Sequence, residues 1–237
     1  MKVCLYTAIF GKYETLKTPV KIEGLDYICF TDNKDLRSNI WDIKCVDNPD
    51  EIPSGLFYKR IKCLSHIYLP DYDITIWLDG NFVVKDVGYV GKMLSKFKTN
   101  KLMVHRHHCL AGIYRDCIYE EAKYSRTMDK YKREKILPQI NEYEHLYQYP
   151  TNNGLYQSGF LLRNNRDLDV IEFNEYWLKE INRFGRVFPQ CQVSLPFTLW
   201  KVGVDFDIIE ESIWDVALYD ITFHGNDDKF IPAYKNS

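Results

Sequence analysis

Ile74-Thr75-Ile76-Trp77-Leu78-Asp79-Gly80-Asn81-Phe82-Val83-Val84 is the stretch on which the fold turns. A short run suited to a buried strand stops at an Asp-Gly-Asn tripeptide and then resumes. An uninterrupted run of this length, closed by turn residues, predicts a strand covered on both faces, as in parallel sheets flanked by helices. The tripeptide sets two oxygen-bearing side chains two apart around a glycine, which lets the backbone turn and a ligand come close. Hard divalent cations favour such oxygen donors. The same tripeptide also suits a hairpin connection between the two runs.

The flanking segments extend the pattern. Val3 to Phe10 is continuously apolar up to Gly11; Tyr27 to Phe30 ends in Thr31-Asp32-Asn33; Ile40 to Val46 ends in Asp47-Asn48-Pro49. From Ser54, a good N-cap, Phe57, Ile61, Leu64 and Tyr68 recur at helical spacing up to Pro70, with Lys59, Lys62 and His66 on the opposite face. A short helix near Tyr89 to Phe97 and a strand at Leu102 to Val104 follow. The charged stretch from Tyr114 to Tyr147 reads as helix interrupted at Pro138, and its basic run Lys130 to Lys135 as a solvated face. Beyond the turn Asn152-Asn153-Gly154 come a strand at Gly159 to Leu162, a helix from Asp167 and a helix at Val193 to Trp200 closed by Gly203. Strands at Phe206 to Ile209 and Leu218 to Phe223 lead into the polar run His224 to Lys229. This alternation predicts an α/β fold with a mixed, mostly parallel central sheet flanked by helices, and ligands at the carboxyl ends of the strands.

Composition narrows the function. The 237 residues suffice for one core, and neither repeats nor a linker divides them, so a single domain over 1–237 is expected. A net charge of −2 gives no field to hold a nucleic-acid backbone or an anionic membrane. Seven scattered cysteines, an odd number, read as reduced thiols in a reducing compartment. The opening residues are too short an apolar stretch for an export signal, and no run of about 18 apolar residues occurs, so a cytoplasmic protein with no membrane span is expected. The 18 tyrosines suit stacking on bases or sugars. No GxGxxG or GxxxxGK[ST] motif is present, so a nucleoside diphosphate would need a metal and basic side chains to neutralise it.

The late His224 offers an imidazole as third ligand to a borderline cation such as Mn²⁺, with Lys229 in range of a phosphate oxygen. A histidine so placed also serves as a surface or capping group. Taken together, Tyr6 to Tyr13, Cys29 to Asp32, Lys59 to Lys62, Ile76 to Asn81 and Arg115 to Glu121 resemble, in order, the glycosyltransferase-like family once catalogued only as a domain of unknown function. That family has plant, bacterial and viral members. More loosely, the chain is similar to the glycogenin-like retaining glycosyltransferases, with their Asp-x-Asp and late His-x-x-Gly-x-x-Lys motifs.

The resemblance implies a glycosyltransferase-A fold whose nucleotide-binding half is about 1–105 and acceptor-side half about 106–237. It implies a nucleotide-sugar donor, usually UDP-linked, Mn²⁺ or Mg²⁺ at the diphosphate, and a glycan or glycoprotein acceptor. Thr7, Ala8, Phe10 and Tyr13 would line the nucleoside pocket, and Asp32 would meet the base or ribose. Asp79, Asn81 and His224 would hold the cation, Lys229 the diphosphate, and Arg60 or Lys62 would brace Asp79 or the phosphates. Gln192 falls where related enzymes place an Asp-Gln or similar pair near the reacting sugar, and with Asp79 it forms the expected catalytic set. His105 in the His105-Arg106-His107-His108 tract, Arg115 and Glu120 are acceptor-side candidates, although a plain surface tract and pairing along a helix explain them too.

Three positions depart from the glycogenin-like pattern. Asn81 replaces a second Asp, Cys191 replaces an acid, and His224 to Lys229 is one residue short. The glycogenin-like resemblance implies hexosyl transfer with retention; an inverting enzyme would need a positioned carboxylate base, for which Asp116, Glu120 and Glu210 are the candidates. A non-catalytic nucleotide-sugar or glycan-binding module of the same fold, and a metal-dependent phosphohydrolase, are the rival readings.

Overall fold

Burial on two faces is what the apolar runs demand, and the structure supplies it with one sheet between helical layers. The computed structural model describes residues 1–48, 50–108, 115–132, 134–186, 190–215 and 217–221. The strands are β1 (Val3–Ile9), β2 (Leu25–Thr31), β3 (Asp42–Cys45), β4 (Ile74–Leu78), β5 (Phe82–Val84), β6 (Leu102–Arg106), β7 (Tyr156–Asn164), β8 (Phe206–Ile209) and β9 (Tyr219–Ile221). The helices are α1 (Ser54–Cys63), α2 (Ser65–Tyr68), α3 (Val87–Lys96), α4 (Ile118–Ser125), α5 (Ile136–His145), α6 (Leu168–Phe184) and α7 (Cys191–Val202). Seven strands form the main sheet in the order β3-β2-β1-β4-β7-β6-β8; β7 runs antiparallel to both neighbours and the other pairings are parallel.

Side-chain alternation divides the core. Along β1 and β4, Tyr6, Ala8 and Trp77 pack on one face with α1, α6 and α7 through Ile61, Phe173, Trp177 and Leu195. Leu5, Ile76 and Leu78 pack on the other with Tyr89, Met93, Phe160 and Tyr219. A third cluster joins α4, α5 and α7 through Ala122, Ile140, Tyr143 and Phe197. Asp167 caps α6 by accepting from Asp169 and Val170, and Gly203 closes α7 at φ 73°, the left-handed geometry that favours glycine.

Several local expectations are corrected. The Asp-Gly-Asn turn is not a hairpin: β5 leaves β4 and pairs antiparallel with β9 in a separate two-stranded sheet. The helix read from Ser54 to Pro70 breaks at Leu64, where the α1 carbonyls of Lys62 and Cys63 accept from buried Arg163 instead of from further turns. Pro53, not Ser54, holds the N-cap position of α1. Pro138 does not interrupt a helix but sits in the first turn of α5, where its missing N–H would be unsatisfied anyway. β3 is a mostly exposed edge strand, shorter than the apolar run that suggested it. Six cysteines are free thiols, and Cys109 lies outside the described residues. No helix among the described residues is long and apolar enough to cross a membrane.

Candidate functional site

Strand order places the site. β2 and β3 lie to one side of β1 and β4 to the other, so the chain reverses direction between β1 and β4. In open α/β sheets the crevice outside the carboxyl ends at such a switch point takes the ligand. Those ends are Gly11 on one side and Asp79-Gly80 on the other. Gly11 adopts φ 63°, and its N–H donates to the Asp32 carboxylate at 2.9 Å, tying the tips of β1 and β2. Gly80 leaves room rather than adopting an unusual φ: a Cβ there would displace the end of the Glu14 side chain and press on Ile9.

Asp79 is held by three elements. Its Oδ1 accepts from Lys62 Nζ of α1 at 3.0 Å and from Trp77 Nε1 of β4 at 2.7 Å, and its backbone N–H donates to Gly159 O of β7 at 2.8 Å. The side chain keeps 30 % exposure. Burial works against its ionisation, but the charges of Lys62 and Lys59 and the hydrogen bonds from Lys62 and Trp77 outweigh it and hold the carboxyl below its usual range. Lys62 is fully buried; burial depresses its ammonium below the ordinary lysine value while Asp79 opposes that. Its Nζ also donates to Ser158 Oγ at 3.1 Å and lies over the Trp77 and Trp177 rings at 5.2 and 6.0 Å. A buried ion pair gains only when its remaining hydrogen-bonding capacity is met, as here by Ser158 and Trp77.

α7 points its first turn at this cluster. Trp177 Nε1 donates to Ser194 Oγ at 3.0 Å, and Cys191, the first helical residue, is a hydrogen-bonding neighbour of Lys59. Two buried ammonium groups and the positive end of a 12-residue helix thus surround one carboxylate, a surplus of positive potential suited to an anionic ligand.

The candidate residues fare unequally. Lys62 braces Asp79, whereas Arg60 is exposed on the far side of α1. Lys59 and Lys62 are buried rather than on a solvent face, because that face of α1 meets the strand tips. Ala8 and Phe10 pack in the Tyr6 layer, and Phe10 is filled edge-on by Phe57 at 4.8 Å. Thr7 alternates to the other side, so β1 splits the proposed nucleoside set; its Oγ1 is buried with no hydrogen-bond partner among the described residues. Tyr13 is 39 % exposed beside Glu14 and Lys59, at the mouth of the crevice. Asn81 is buried next to Asp79, and Gln192 sits in the first turn of α7, its N–H donating to Gln190 Oε1. His224 and Lys229 lie outside the described residues. Among those described, no group of three His, Cys, Asp or Glu gathers to hold a metal.

The acceptor-side candidates have unlike surroundings. His105 is a core residue: Nδ1 donates to Glu211 O at 2.8 Å, so Nε2 is the acceptor, with the Tyr219 hydroxyl at 2.9 Å and the Tyr89 hydroxyl 3.2 Å away. Burial drives its pKa down to about 4 and keeps the ring neutral. Arg115 pairs with Glu121 at 2.9 Å and stacks on Tyr124 at 4.2 Å, while Glu120 is exposed and bears no described partner. Of the possible bases, Glu210 is held by Arg106 at 2.6 Å on the surface.

The sequence reading gave no site role to Arg163, Ser158 or Lys59. Arg163 donates to Asn174, to the Lys62 carbonyl and to the Tyr6 hydroxyl, and so fixes the end of α1 from which Lys62 reaches Asp79. An arginine directly after the apolar run Phe160 to Leu162 was the available signal. A depression of about 780 Å³ opens at the amino ends of β1 and β2, lined by Lys2, Glu23, Asp26 and Asp73. It lies at the wrong end of the sheet for a switch-point ligand, and Asp73 there is already bonded to Lys2 and Arg166.

Among solved structures, the chain is similar to mouse xyloside xylosyltransferase 1 in its apo form, at 11 % identity and a TM-score of 0.50 over 86 % of this chain and 84 % of that one. It is also similar to the apo bifunctional glycosyltransferase WbbM, at 8 % identity and a TM-score of 0.48; that match covers 87 % of this chain but only 38 % of WbbM. No protein of curated function matches the sequence. Residues 31–220 match the TOD1/MUCI70 glycosyltransferase-like domain, a span that contains β3 to β8, Asp79 with its supports and the first turn of α7. The chain is therefore a glycosyltransferase-A fold and belongs to the TOD1/MUCI70 family of glycosyltransferase-like domains.

Proposed function

We propose that the protein transfers a sugar, a hexose in the first instance, from a UDP-linked donor to a hydroxyl of a glycan or glycoprotein, assisted by Mn²⁺ or Mg²⁺. The observation that carries the reading is Asp79: a carboxylate fixed at the switch point through one oxygen by Lys62 and Trp77, with the other oxygen bonded to no described group.

The residues present fit the cation in kind. Asp79 and Asn81 are oxygen donors two positions apart, and a hard dication completes its shell with waters and diphosphate oxygens. The third ligand in this proposal, His224, follows Ile221 by three residues, and Ile221 pairs with Phe82 immediately beyond the Asp79-Gly80-Asn81 turn. A bound dication would neutralise charge on the departing diphosphate. This chain's own contribution is fixed positive potential: the Lys59 and Lys62 ammonium groups and the α7 N-terminus stand beside the same point before the reaction begins, and need no reorganisation as charge develops. In this proposal Gln192, on the first turn of α7, is the residue that meets the sugar. Retention of the anomeric configuration is the stereochemical reading, and proton NMR of the product decides it: an inverted anomer overturns it.

The central experiment offers the purified protein a panel of UDP-sugars with and without Mn²⁺ and measures UDP release. The expected result is metal-dependent release that Asp79→Asn lowers at least about 100-fold. Binding of UDP with no release from any donor would replace transfer with a binding module, and phosphate release from simple esters would point to a hydrolase.

A further inference from the structure

The block Arg115 to Glu121 has no part in the cluster around Asp79, yet it leads to a buried carboxylate. Glu121, on α4, is only 2 % exposed. Its Oε2 accepts from Arg115 Nε at 2.9 Å, and its Oε1 accepts from Ser125 Oγ at 3.2 Å and from Gln190 Nε2 at 3.1 Å. Gln190 Nε2 donates to Ser125 Oγ as well, at 2.7 Å. The other end of the same amide, Gln190 Oε1, accepts from the backbone N–H of Gln192 at 3.2 Å and caps α7. His107 lies 4.0 Å from Oε2, and Tyr131, which faces Lys59 and Cys191, also feels the Glu121 charge.

We propose that Glu121 is a positioning residue that acts through Gln190 to set the first turn of α7, and with it Gln192, at the mouth of the crevice. Glutamine is a weak N-cap, because a long side chain loses much rotamer freedom when it is fixed. Anchoring its amide nitrogen on two buried acceptors removes that freedom by other means, and leaves its oxygen aimed at one backbone N–H. Apolar side chains would hold α4 against α7 at lower desolvation cost than a carboxylate paired with Arg115. What the polar arrangement adds is direction: three acceptor and donor contacts fix the angle at which α7 enters the site. The link to catalysis rests on the proposed sugar transfer; the link from Glu121 to the Gln192 backbone does not.

Two readouts separate these. Hydrogen exchange at the Gln192 amide reports the link in the full-length protein whether or not it turns over. Steady-state UDP release reports the consequence. Glu121→Ala and Gln190→Ala should each speed exchange at Gln192 and lower kcat about 10- to 100-fold, with donor KM changed less than about threefold. The double variant should be no worse than the more impaired single one, because both act on the same contact. Glu121→Gln keeps an oxygen for Gln190 and should stay within about fivefold of the parent; should Glu121→Ala fail to fold, Gln190→Ala carries the test. Unchanged exchange at Gln192 in both Gln190→Ala and Glu121→Ala, or additive losses in the double variant, would overturn the proposal. A parent protein that releases no UDP would defeat sugar transfer, while exchange at Gln192 would still decide the positioning link.

Discussion

His105 makes the fold sensitive to acid by an amount that can be worked out. The ring is enclosed by Tyr89, Tyr219, Phe160 and the Glu211 carbonyl, and burial, only partly offset by the hydrogen bond to Glu211, lowers its pKa from 6.5 to about 4. In the unfolded chain the imidazole protonates near 6.5, so stability is complete above that value and is lost as pH falls from 6.5 towards 4. The full gap is worth roughly 3 kcal/mol at about 1.4 kcal/mol per pH unit. At pH 5 the unfolded histidine is almost wholly charged and the folded one almost wholly neutral, so about 2 kcal/mol of stability has gone relative to pH 7. His105→Gln removes the titration while keeping a donor for Glu211 and an acceptor for the tyrosine hydroxyls. Urea unfolding at pH 7 and pH 5 should then show the parent losing about 2 kcal/mol more than the variant between the two conditions. His107, whose pKa burial also lowers to about 4, contributes equally to both proteins and cancels. Equal losses in parent and variant would refute the account. The consequence for function runs through Tyr219: it lies in β9, the strand that pairs with β5 next to the Asp79 turn, so acid should loosen that end of the site first.

The two signals that survived from sequence to structure are those written in local chemistry. Val3 to Phe10 and Ile74 to Leu78 are buried strands because an uninterrupted apolar run has no solvent face to offer. Asp79-Gly80 ends such a strand because a carboxylate taken deeper would lose solvent and need charged partners on every side. What the sequence could not show was which distant groups meet those tips. Helical spacing put Lys59 and Lys62 opposite the apolar stripe of α1, the usual place for solvated lysines, and only the tertiary neighbours Asp79, Ser158 and Trp77 make that face an interior one. His105 looked accessible within a run of histidines, but β6 lies between β7 and β8, and alternation turns the ring into the core. Glu120 and Glu121 are indistinguishable as letters; one helical step separates an exposed carboxylate from a buried one. The break at Leu64 was equally hidden, since the arginine that satisfies the end of α1 comes from a strand 100 residues later.

Two substitutions probe the site from opposite sides. Gly159→Ala introduces a Cβ 2.8 Å from Ile213 Cδ1, tighter than packing allows; it should cost about 1–3 kcal/mol, read as a lowered Tm, and an unchanged Tm would show that Ile213 yields freely. Lys62→Met keeps most of the side-chain volume between Trp77 and Trp177 but strips Asp79 of its cation. Breaking a fully buried pair costs about 3–5 kcal/mol, and the 30 % exposure of Asp79 together with the surviving Trp77 hydrogen bond brings the loss towards or below the lower figure. With the cation gone, burial is opposed only by Lys59 and Trp77, so the Asp79 pKa rises. Affinity for UDP, measured by calorimetry across pH, should therefore fail at higher pH than in the parent as the solution is acidified. If Lys62→Met binds UDP with the parent's affinity and pH profile, the Lys62–Asp79 pair is a structural ion pair only, and the placement of the diphosphate beside it is wrong.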